Sequence, residues 1–295
     1  MRNGTRDGVQ LYKCMACGRQ FRGKVYIDGQ TLWHDYLEGK QTMNELAAAN
    51  GVSRSTVKRI LGNITVTWRN PVCYGHGVIQ MDATYFGRNC GVLVALEAAS
   101  RRPLYLKHIT HERTSDYAEA LAWIERDGYV VDGIVIDGMQ TLFSLFEGYK
   151  VQMCQYHMCA IVRRKLTGNP RLPAGRELKA LMASLTTSDR DCFTTAFEAW
   201  AIKWDSFLKE RTVNPETGTT SYTHRRLRSA MASIRFYLPY LFTWLEVDGM
   251  PNTNNRLEGI FTDLKRNINN HSGMSRKSRE RLINGFFLAL GNNPQ

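Results

Sequence analysis

The sequence lacks any long hydrophobic run. No stretch of its 295 residues approaches the roughly 18 consecutive apolar residues that a membrane-spanning helix needs, so we expect no membrane span. The opening MRNGTRDGVQ contains no hydrophobic segment and is unlike a secretory signal peptide. Internal repeats and low-complexity segments are also absent, so the sequence predicts an ordinary globular chain.

The cysteine count is odd. The seven cysteines are scattered along the chain and do not form a dense, regularly spaced set. A disulfide framework needs paired thiols and an oxidising compartment. The cysteines therefore favour a reducing compartment, and we expect a cytoplasmic protein.

Acidic residues are outnumbered by basic ones. The chain has 27 Asp and Glu against 39 Lys and Arg, which gives a net charge of +12. Such an excess favours a polyanionic partner, because each phosphate that is neutralised releases condensed counterions. A solvated basic surface is the alternative, and charge alone does not decide between them.

Apolar periodicity divides the chain into successive parts. Residues 1–28 are polar and Gly-rich, residues 29–68 have helical spacing, and residues 77–153 have strand patterns with helices between them. Residues 158–246 are predicted to be almost entirely helical, and two more helices follow within 252–290. Three strands, a helix, a strand and a helix predict an α/β fold with a mixed sheet covered by helices.

The strand segment VIQMDATYF carries a carboxylate in its middle. Strand alternation places Asp82 on the same face as Gln80 and Thr84. An ionised carboxylate in a sheet is costly unless it is paired or bound to a cation. Asp82 is therefore a candidate cation ligand; the alternative is an edge strand on which it is simply solvated.

The segment VDGIVID has the pattern of a buried strand that ends on Asp137. An Asp at this position can cap the helix that follows, since its side chain accepts free backbone N–H groups. It can also hold a metal ion at the carboxyl edge of a sheet, where open α/β folds place their ligands. Both interpretations stay open on this segment alone.

Glu258 lies beside an apolar helical stripe. The stripe has members at offsets 0, 3, 4, 7 and 11, from Leu257 to Ile268. Glu258 can therefore reach a site at the edge of the core. The alternative is a capping box, with Asn255 as N-cap and Glu258 three residues later.

Two further motifs have more than one interpretation. Cys154 and His157 in CQYH supply half of a tetrahedral zinc site, even with Cys159 nearby, and His157 can equally be a core histidine. Trp200 and Trp204 are one helical turn apart and can stack on DNA bases, but aromatics at this spacing are more often core, and we predict core.

The segment TMNELAAANGVSRSTVKRIL predicts a helix-turn-helix. Gly51 marks the turn, and residues 53–61 form the recognition helix. A helical hairpin with a basic outer face is the alternative, but the net charge favours DNA binding. The candidate DNA contacts in this helix are Arg54, Ser55, Lys58 and Arg59. Further phosphate contacts are expected from Arg256, Lys265 and Arg266 in the late basic region.

Together these segments resemble the DDE transposases of the RNase H-like class, most closely the Mutator-like superfamily of insertion-sequence enzymes. The resemblance is carried by MDATYFGR around Asp82, VIDGMQ around Asp137, CQYH from Cys154 to His157, and TNNRLEG around Glu258. It implies an RNase H-like mixed sheet within a catalytic domain of residues 74–290. It also implies a large all-helical insertion at about 158–246, and a small helix-turn-helix domain at residues 29–68.

The resemblance implies a two-metal site. Asp82, Asp137 and Glu258 would hold two Mg²⁺ or Mn²⁺ ions, because two divalent cations need several hard oxygen ligands from separate elements. Such a site activates a water or a 3′-hydroxyl and stabilises the leaving oxygen. His157 is associated with the catalytic region in this family, and Cys154 would be accessory.

The implied function is that of a transposase. It would bind the terminal inverted repeats of its element and catalyse strand cleavage and strand transfer. The partners would be double-stranded DNA, as element ends and target, and further copies of the chain in a homodimer or larger assembly. A bacterial, nucleoid-associated protein is implied. The alternatives are an RNase H-like structure-specific nuclease, and an inactivated transposase or DNA-binding regulator.

Cys14 and Cys17 in YKCMACGRQF match the second knuckle of a zinc ribbon. Related transposases usually carry the first knuckle upstream, so this chain looks as if it starts late. Zinc in a structural site takes four ligands, and only two are present here. We therefore expect no stoichiometric structural zinc in this partial zinc-ribbon-like segment, residues 1–28.

Overall fold

A computed structural model of the chain describes residues 1–6, 8–22, 27–271 and 273–292. Parts of the predicted zinc-ribbon-like segment, residues 7 and 23–26, lie outside the described residues. The chain forms two compact units. Unit 1 comprises Met1–Val66 and Asn270–Met274, and unit 2 comprises Thr67–Asn269 and Ser275–Gln295.

Unit 1 contains a small antiparallel sheet followed by three helices. The sheet has the order β1-β2-β3. The elements are β1 (Arg2–Arg6), β2 (Val9–Lys13), β3 (Gln20–Arg22), α1 (Gly29–Leu37), α2 (Met43–Ala49) and α3 (Arg54–Asn63).

The turn between α2 and α3 is specified by local chemistry. Thr42 and Glu45 form a capping box at the start of α2. Gly51 has a φ of 61°, a left-handed conformation that glycine adopts at little cost. Ser53 then accepts the amide of Thr56 and begins α3. These signals explain why two helices with a short turn form where the sequence predicts them.

A segment from late in the chain completes the packing of unit 1. The ring of His271 stacks on the ring of Tyr36, with centroids 3.9 Å apart. The hydroxyl of Tyr36 donates to the sulfur of Met274 at 3.6 Å. Tyr36 is consequently almost fully buried.

Unit 2 is built on a five-stranded mixed sheet. Its strands are β4 (His76–Tyr85), β5 (Gly91–Glu97), β6 (Pro103–Ile109), β7 (Val130–Ile136) and β8 (Val151–Met153). The sheet order is β6-β5-β4-β7-β8, which makes β4 the central strand. The β4–β5 and β5–β6 pairs are antiparallel, whereas β7 runs parallel to β4 and β8 runs parallel to β7.

The central position of β4 rules out the edge-strand interpretation of Asp82. Ile79 and Met81 on one face of β4 are fully buried in the main core. On the opposite face, Val78 packs with Val135 and Met250 in a second cluster. Since both faces are covered, Asp82 lies in a buried part of the sheet.

Helices cover this sheet, and a largely helical block follows it. The block contains a short hairpin that the sequence analysis did not predict, formed by β9 (Arg211–Val213) and β10 (Thr220–Tyr222). It arises because RTVNPETGTTSY combines β-branched residues with a turn at Gly218, whose φ is 65°. The helices are α4 (Thr114–Glu125), α5 (Gln140–Leu145), α6 (Gln155–Leu166), α7 (Pro173–Ala183), α8 (Arg190–Lys203), α9 (Asp205–Lys209), α10 (Arg225–Tyr237), α11 (Asn255–Asn270) and α12 (Arg276–Asn292).

The predicted core role of Trp200 is confirmed. Its side chain is buried in the main core, and its indole N–H donates to the carbonyl of Ala174 at 3.0 Å. Trp204 packs against the same core, and its indole N–H donates to Glu177 at 2.8 Å. Within the described part of the chain, no helix is both long enough and apolar enough to span a bilayer.

Candidate active site

Asp82 lies on β4, and Asp137 directly follows β7, the parallel strand beside it. The last aligned pair between β4 and β7 joins Gln80 to Val135. Each Asp lies two residues beyond this pair, so the two side chains leave the sheet on the same face, near the end where β7 stops. The pairing of β4 with β7 therefore brings together two carboxylates that are 55 residues apart in sequence.

Asp82 is a buried carboxylate surrounded by negative charge. Its side chain is 8% exposed, and its Oδ1 accepts the backbone N–H of Ala83 at 2.8 Å. Burial raises the pKa of Asp82 well above its ordinary value, and the charges of Asp137, Glu112 and Glu258 raise it further. Among the described residues, no Lys, Arg or His forms an ion pair with Asp82, Asp137 or Glu112.

Asp137 is half-buried and is not the N-cap of the helix that follows. The cap position of α5 is Met139, which makes no side-chain cap hydrogen bond. Asp137 Oδ1 accepts the backbone N–H of Met139 at 3.2 Å. One oxygen of Asp137 thus stabilises the turn before α5, and the carboxylate can still coordinate a metal ion.

Glu258 lies in the first turn of α11. The helix begins at Asn255, so the capping-box interpretation with Asn255 as N-cap is wrong. The backbone N–H of Glu258 instead donates to the carbonyl of Asn254 at 2.9 Å. Its Oε1 is buried and lies 3.5 Å from Nδ1 of His157. Four members of the predicted apolar stripe are buried, namely Leu257, Phe261, Leu264 and Ile268, and Ile260 is partly buried.

The segment Asn252–Asn254, which we call the strap, attaches the start of α11 to the sheet. Gln80 Nε2 donates to the carbonyl of Thr253 at 3.0 Å and to Oδ1 of Asn254 at 3.2 Å. The backbone N–H of Asn254 donates to Sγ of Cys154 at 3.2 Å, and its side chain donates to the carbonyl of Met81.

The strap is also tied to the start of α6. The backbone N–H of Gln155 donates to the carbonyl of Asn252, and the Asn252 amide donates back to Gln155 Oε1, each at 3.0 Å. Gln80, Asn254 and Gln155 are fully buried. A buried network of this kind fixes geometry, because any broken bond leaves an unsatisfied polar group. It sets the position of Glu258 relative to the carboxylates on the sheet.

Glu112 is an acidic residue at this site that the sequence analysis missed. It lies between β6 and α4, and its Oε1 accepts the hydroxyl of Tyr117 at 2.5 Å. Burial raises the pKa of Glu112, and the charge of Asp137 raises it further. The segment ITHERT has neither strand nor helix periodicity, so no pattern in the sequence marked this residue.

Cys154, His157 and Glu258 converge at the junction of two helix starts. One possible ligand atom from each lies within 4.8 Å of the other two. Cys154 is the N-cap residue of α6, and His157 lies three residues later in its first turn. Cys159 does not join this group; its thiol donates to the carbonyl of Met182 at 3.3 Å.

The residues predicted to contact DNA are exposed on their helices. In unit 1, all four candidates on α3 are exposed: Arg54, Ser55, Lys58 and Arg59. In unit 2, Arg256 donates to the carbonyl of Ala98, so part of its guanidinium is engaged within the fold. Arg266 forms a surface ion pair with Asp263 at 3.1 Å, and Lys265 is exposed.

Cys14 and Cys17 lie in the turn between β2 and β3. The backbone N–H of Gly18 donates to the carbonyl of Cys14 at 2.9 Å, which closes a tight loop. Hydrogen bonds from the backbone amides of Cys17 and Ala16 lower the pKa of Cys14. Among the described residues, no third Cys, His or acidic side chain joins this pair.

Comparison with known proteins identifies no family for the chain. No protein-family model and no curated protein matches it. Among solved structures, it is similar to the Drosophila P element transposase strand transfer complex, with 11% identity, a TM-score of 0.35, and coverage of 92% of this chain and 82% of that chain. It is also similar to a chain of the simian T-cell lymphotropic virus intasome in complex with PP2A regulatory subunit B56 gamma, with 13% identity and a TM-score of 0.23. That match covers 70% of this chain and 66% of the other, just under two thirds.

Proposed function

We propose that this protein is a DDE-type DNA transposase with an RNase H-like catalytic unit of the Mutator-like kind. It would bind the ends of its element and catalyse divalent-metal-dependent strand cleavage and strand transfer. The observation that supports this proposal is the proximity of Asp82 on β4 to Asp137, the residue directly after β7, with Glu258 held nearby by the strap. The transposase resemblance of the sequence supports the same site.

The acidic residues fit a divalent cation. Asp82 is buried, other carboxylates raise its pKa, and it has no cationic partner among the described residues. The Oε1 atom of Glu258 is buried without a hydrogen-bond partner. A buried carboxylate in such a field is costly unless a cation neutralises it. Asp82, Asp137 and Glu258 would therefore hold Mg²⁺ or Mn²⁺, hard cations that prefer oxygen ligands.

The residues around these carboxylates have positioning roles. When bound, the two ions would supply charge stabilisation and nucleophile activation in an in-line phosphoryl transfer. The Ala83 and Met139 amides each orient one carboxylate oxygen, of Asp82 and Asp137 respectively. His157 faces Oε1 of Glu258 and would orient that carboxylate.

DNA binding is assigned to exposed basic surface in each unit. In unit 1, α3 would enter the major groove as the recognition helix, through the side chains of Arg54, Ser55, Lys58 and Arg59. In unit 2, Lys265 and Arg266 would contact phosphates. The partners are double-stranded DNA and further copies of the chain assembled on it.

Substitution of the three carboxylates tests the proposal. Asp82→Asn, Asp137→Asn and Glu258→Gln should each abolish cleavage of the DNA that flanks the reading frame, while folding and DNA binding persist. The expected loss is about 10³-fold or more, because members of one site fail together. Asp132→Asn is the matched control, since Asp132 lies on β7, the strand that leads to Asp137, but pairs with His76 at the surface.

Two results would contradict the proposal. Cleavage by Asp137→Asn at near the parent rate would leave this residue with only its turn-stabilising contact to Met139. Cleaved ends that are never joined to a target would instead identify a structure-specific nuclease.

A further inference from the structure

We infer that Cys154, His157 and Glu258 form a binding site for Zn²⁺, separate from the oxygen-ligand site of the two aspartates, and that an ion bound there withholds Glu258 from catalysis. The metal site rests on the three donors alone. Only its effect on cleavage rests on the proposed function.

The spacing of the donors suits a tetrahedral ion. Zinc binds thiolate sulfur at about 2.3 Å, and histidine nitrogen and carboxylate oxygen at about 2.0–2.2 Å, so neighbouring donors lie roughly 3.3–3.6 Å apart. His157 Nδ1 and Glu258 Oε1 are 3.5 Å apart. All three donors lie within 4.8 Å of one another, so a small approach of the sulfur completes the set.

Two of these donors are buried without a hydrogen-bond partner. His157 Nδ1 and Glu258 Oε1 are both inaccessible to solvent, and neither has such a partner among the described residues. A buried polar atom left in this state costs about 1–3 kcal/mol. A cation between them satisfies both atoms. The side chains of His157 and Glu258 are each 29% exposed, which leaves a path for the ion from solvent.

The chemical nature of the donors selects zinc over magnesium. Thiolate and imidazole favour borderline cations such as Zn²⁺, whereas Mg²⁺ requires oxygen ligands in near-octahedral geometry. Three protein ligands leave a fourth position for water, as in open zinc sites. The acidic site and this site would therefore take different ions, with Glu258 common to both.

Binding has a defined proton balance. Burial raises the pKa of Cys154 to about 11, and the thiol proton has to leave when the sulfur binds zinc. The S–H bond breaks as the sulfur–zinc bond forms, and one proton is released to solvent for each ion bound. The amides of Asn254, His157 and Tyr156 lower this pKa by hydrogen bonding, and so stabilise the thiolate that zinc requires.

Cobalt provides the spectroscopic test. The full chain carrying Cys14→Ser and Cys17→Ser, which removes the other close thiol pair, is titrated with Co²⁺ and then with Zn²⁺. We expect one Co²⁺ per chain with a thiolate-to-cobalt charge-transfer band, and we expect Zn²⁺ to remove the band. Adding Cys154→Ser should abolish the band and weaken Zn²⁺ affinity by about 10-fold or more.

Cys159→Ser is the matched control, because Cys159 lies in the same helix but donates to the Met182 carbonyl. It should leave the band unchanged. The proposed zinc site would be disproved if the chain carrying Cys14→Ser and Cys17→Ser showed no charge-transfer band, or if the band persisted after Cys154→Ser was added. Asp82→Asn should abolish cleavage but keep the band, so failure of the catalytic assignment and failure of the zinc site are distinguishable.

The effect on catalysis is measured separately. Added Zn²⁺ should lower the Mg²⁺-supported cleavage rate of the parent protein at least 10-fold. At the same Zn²⁺ concentration, the cleavage rate of Cys154→Ser should stay close to the rate of that variant without zinc. Equal inhibition of both proteins would show that zinc acts elsewhere, and would overturn the inhibitory part of the inference.

Discussion

The properties of single residues at this site depend on neighbours that are distant in sequence. Strand alternation in the sequence predicts that Asp82 lies on a face of the sheet, where an unpaired carboxylate costs free energy. Its pKa, however, reflects Asp137, Glu112 and Glu258, which come from the end of a neighbouring strand, a loop and a late helix, respectively. Glu112 could not be identified beforehand, because its importance comes only from its proximity to the other acidic groups.

Removing the charge of Asp82 should stabilise the metal-free protein. The pKa of Asp82 is higher in the folded state than its ordinary 3.8, so folding loses stability as the pH rises from 3.8 through the folded pKa. We expect Asp82→Asn to raise the free energy of unfolding at neutral pH, because the amide carries no charge that has to be buried. Below pH 3.8 the gain should vanish, because the carboxyl is then protonated in both states.

Urea unfolding in the presence of a chelator measures this effect. Asp248→Asn is the control, because Asp248 is exposed in a turn, and the free energy of unfolding of this variant should equal that of the parent. Added Mn²⁺ should stabilise the parent but not Asp82→Asn. If the metal-free parent protein were more stable than Asp82→Asn at neutral pH, the unpaired charge of Asp82 could not be destabilising the fold.

At the scale of elements, the strap decides where α11 begins. Apolar spacing predicts this helix correctly, whereas the alternative of a capping box with Asn255 as N-cap is wrong, because the helix already begins at Asn255. Asn254 turns toward Gln80 and Met81 on β4 rather than toward its own helix. Local capping rules do not include a partner 174 residues away. For this reason the capping-box alternative places the start of α11 one residue too late.

Breaking the strap should impair catalysis more than its effect on stability explains. Gln80→Leu leaves the Thr253 carbonyl and Asn254 Oδ1 without their donor, at a cost of about 1–3 kcal/mol. Because Glu258 is then less firmly placed, we expect kcat for cleavage to fall at least 10-fold with little change in DNA affinity.

The control for this variant is Leu178→Ala, a fully buried position in α7 of the helical block. It should lose about 2–5 kcal/mol of stability, but retain its cleavage rate at temperatures where both proteins are folded. Equal losses of kcat in the two variants would show that Gln80 acts through stability alone.

Helix α3 should determine recognition of element ends. Arg54→Ala with Lys58→Ala removes two exposed charges from this helix, and we expect the preference for element ends over unrelated DNA to fall at least 10-fold. Arg19→Ala with Lys40→Gln removes the same charge from exposed positions of unit 1 outside α3, and should keep that preference. Competition binding at constant salt measures this preference for each variant. If the parent and the Arg54→Ala, Lys58→Ala variant had the same preference, α3 would be excluded as the helix that recognises the DNA sequence.

At the scale of the whole molecule, patterned segments were predictable and long-range convergence was not. Alternation and helical spacing located the strands of the mixed sheet and the helices around it. The β9–β10 hairpin was missed because two three-residue strands are too short to show a period. The family resemblance implies that His157, Glu258 and accessory Cys154 belong to the catalytic region. It does not predict that they form one set of donors, because this grouping depends on how two helix starts meet.

The net charge of +12 predicts strongly salt-dependent DNA binding by the full chain. If about six phosphates are contacted, raising salt from about 50 to 200 mM should weaken binding about 10³-fold. Filter binding or fluorescence anisotropy over a salt series measures the slope. A flat dependence would exclude phosphate contacts as the main source of affinity.

The composition of unit 1 has a consequence for the order of synthesis. This unit begins at Met1, yet its packing includes residues Asn270–Met274, where His271 stacks on Tyr36. A ribosome therefore has to translate more than nine tenths of the chain before the first unit can close over Tyr36. Until then that aromatic ring lacks its stacking partner, so a nascent chain released early would carry an incompletely packed unit 1. The packing of the amino-terminal unit is therefore completed only near the end of synthesis.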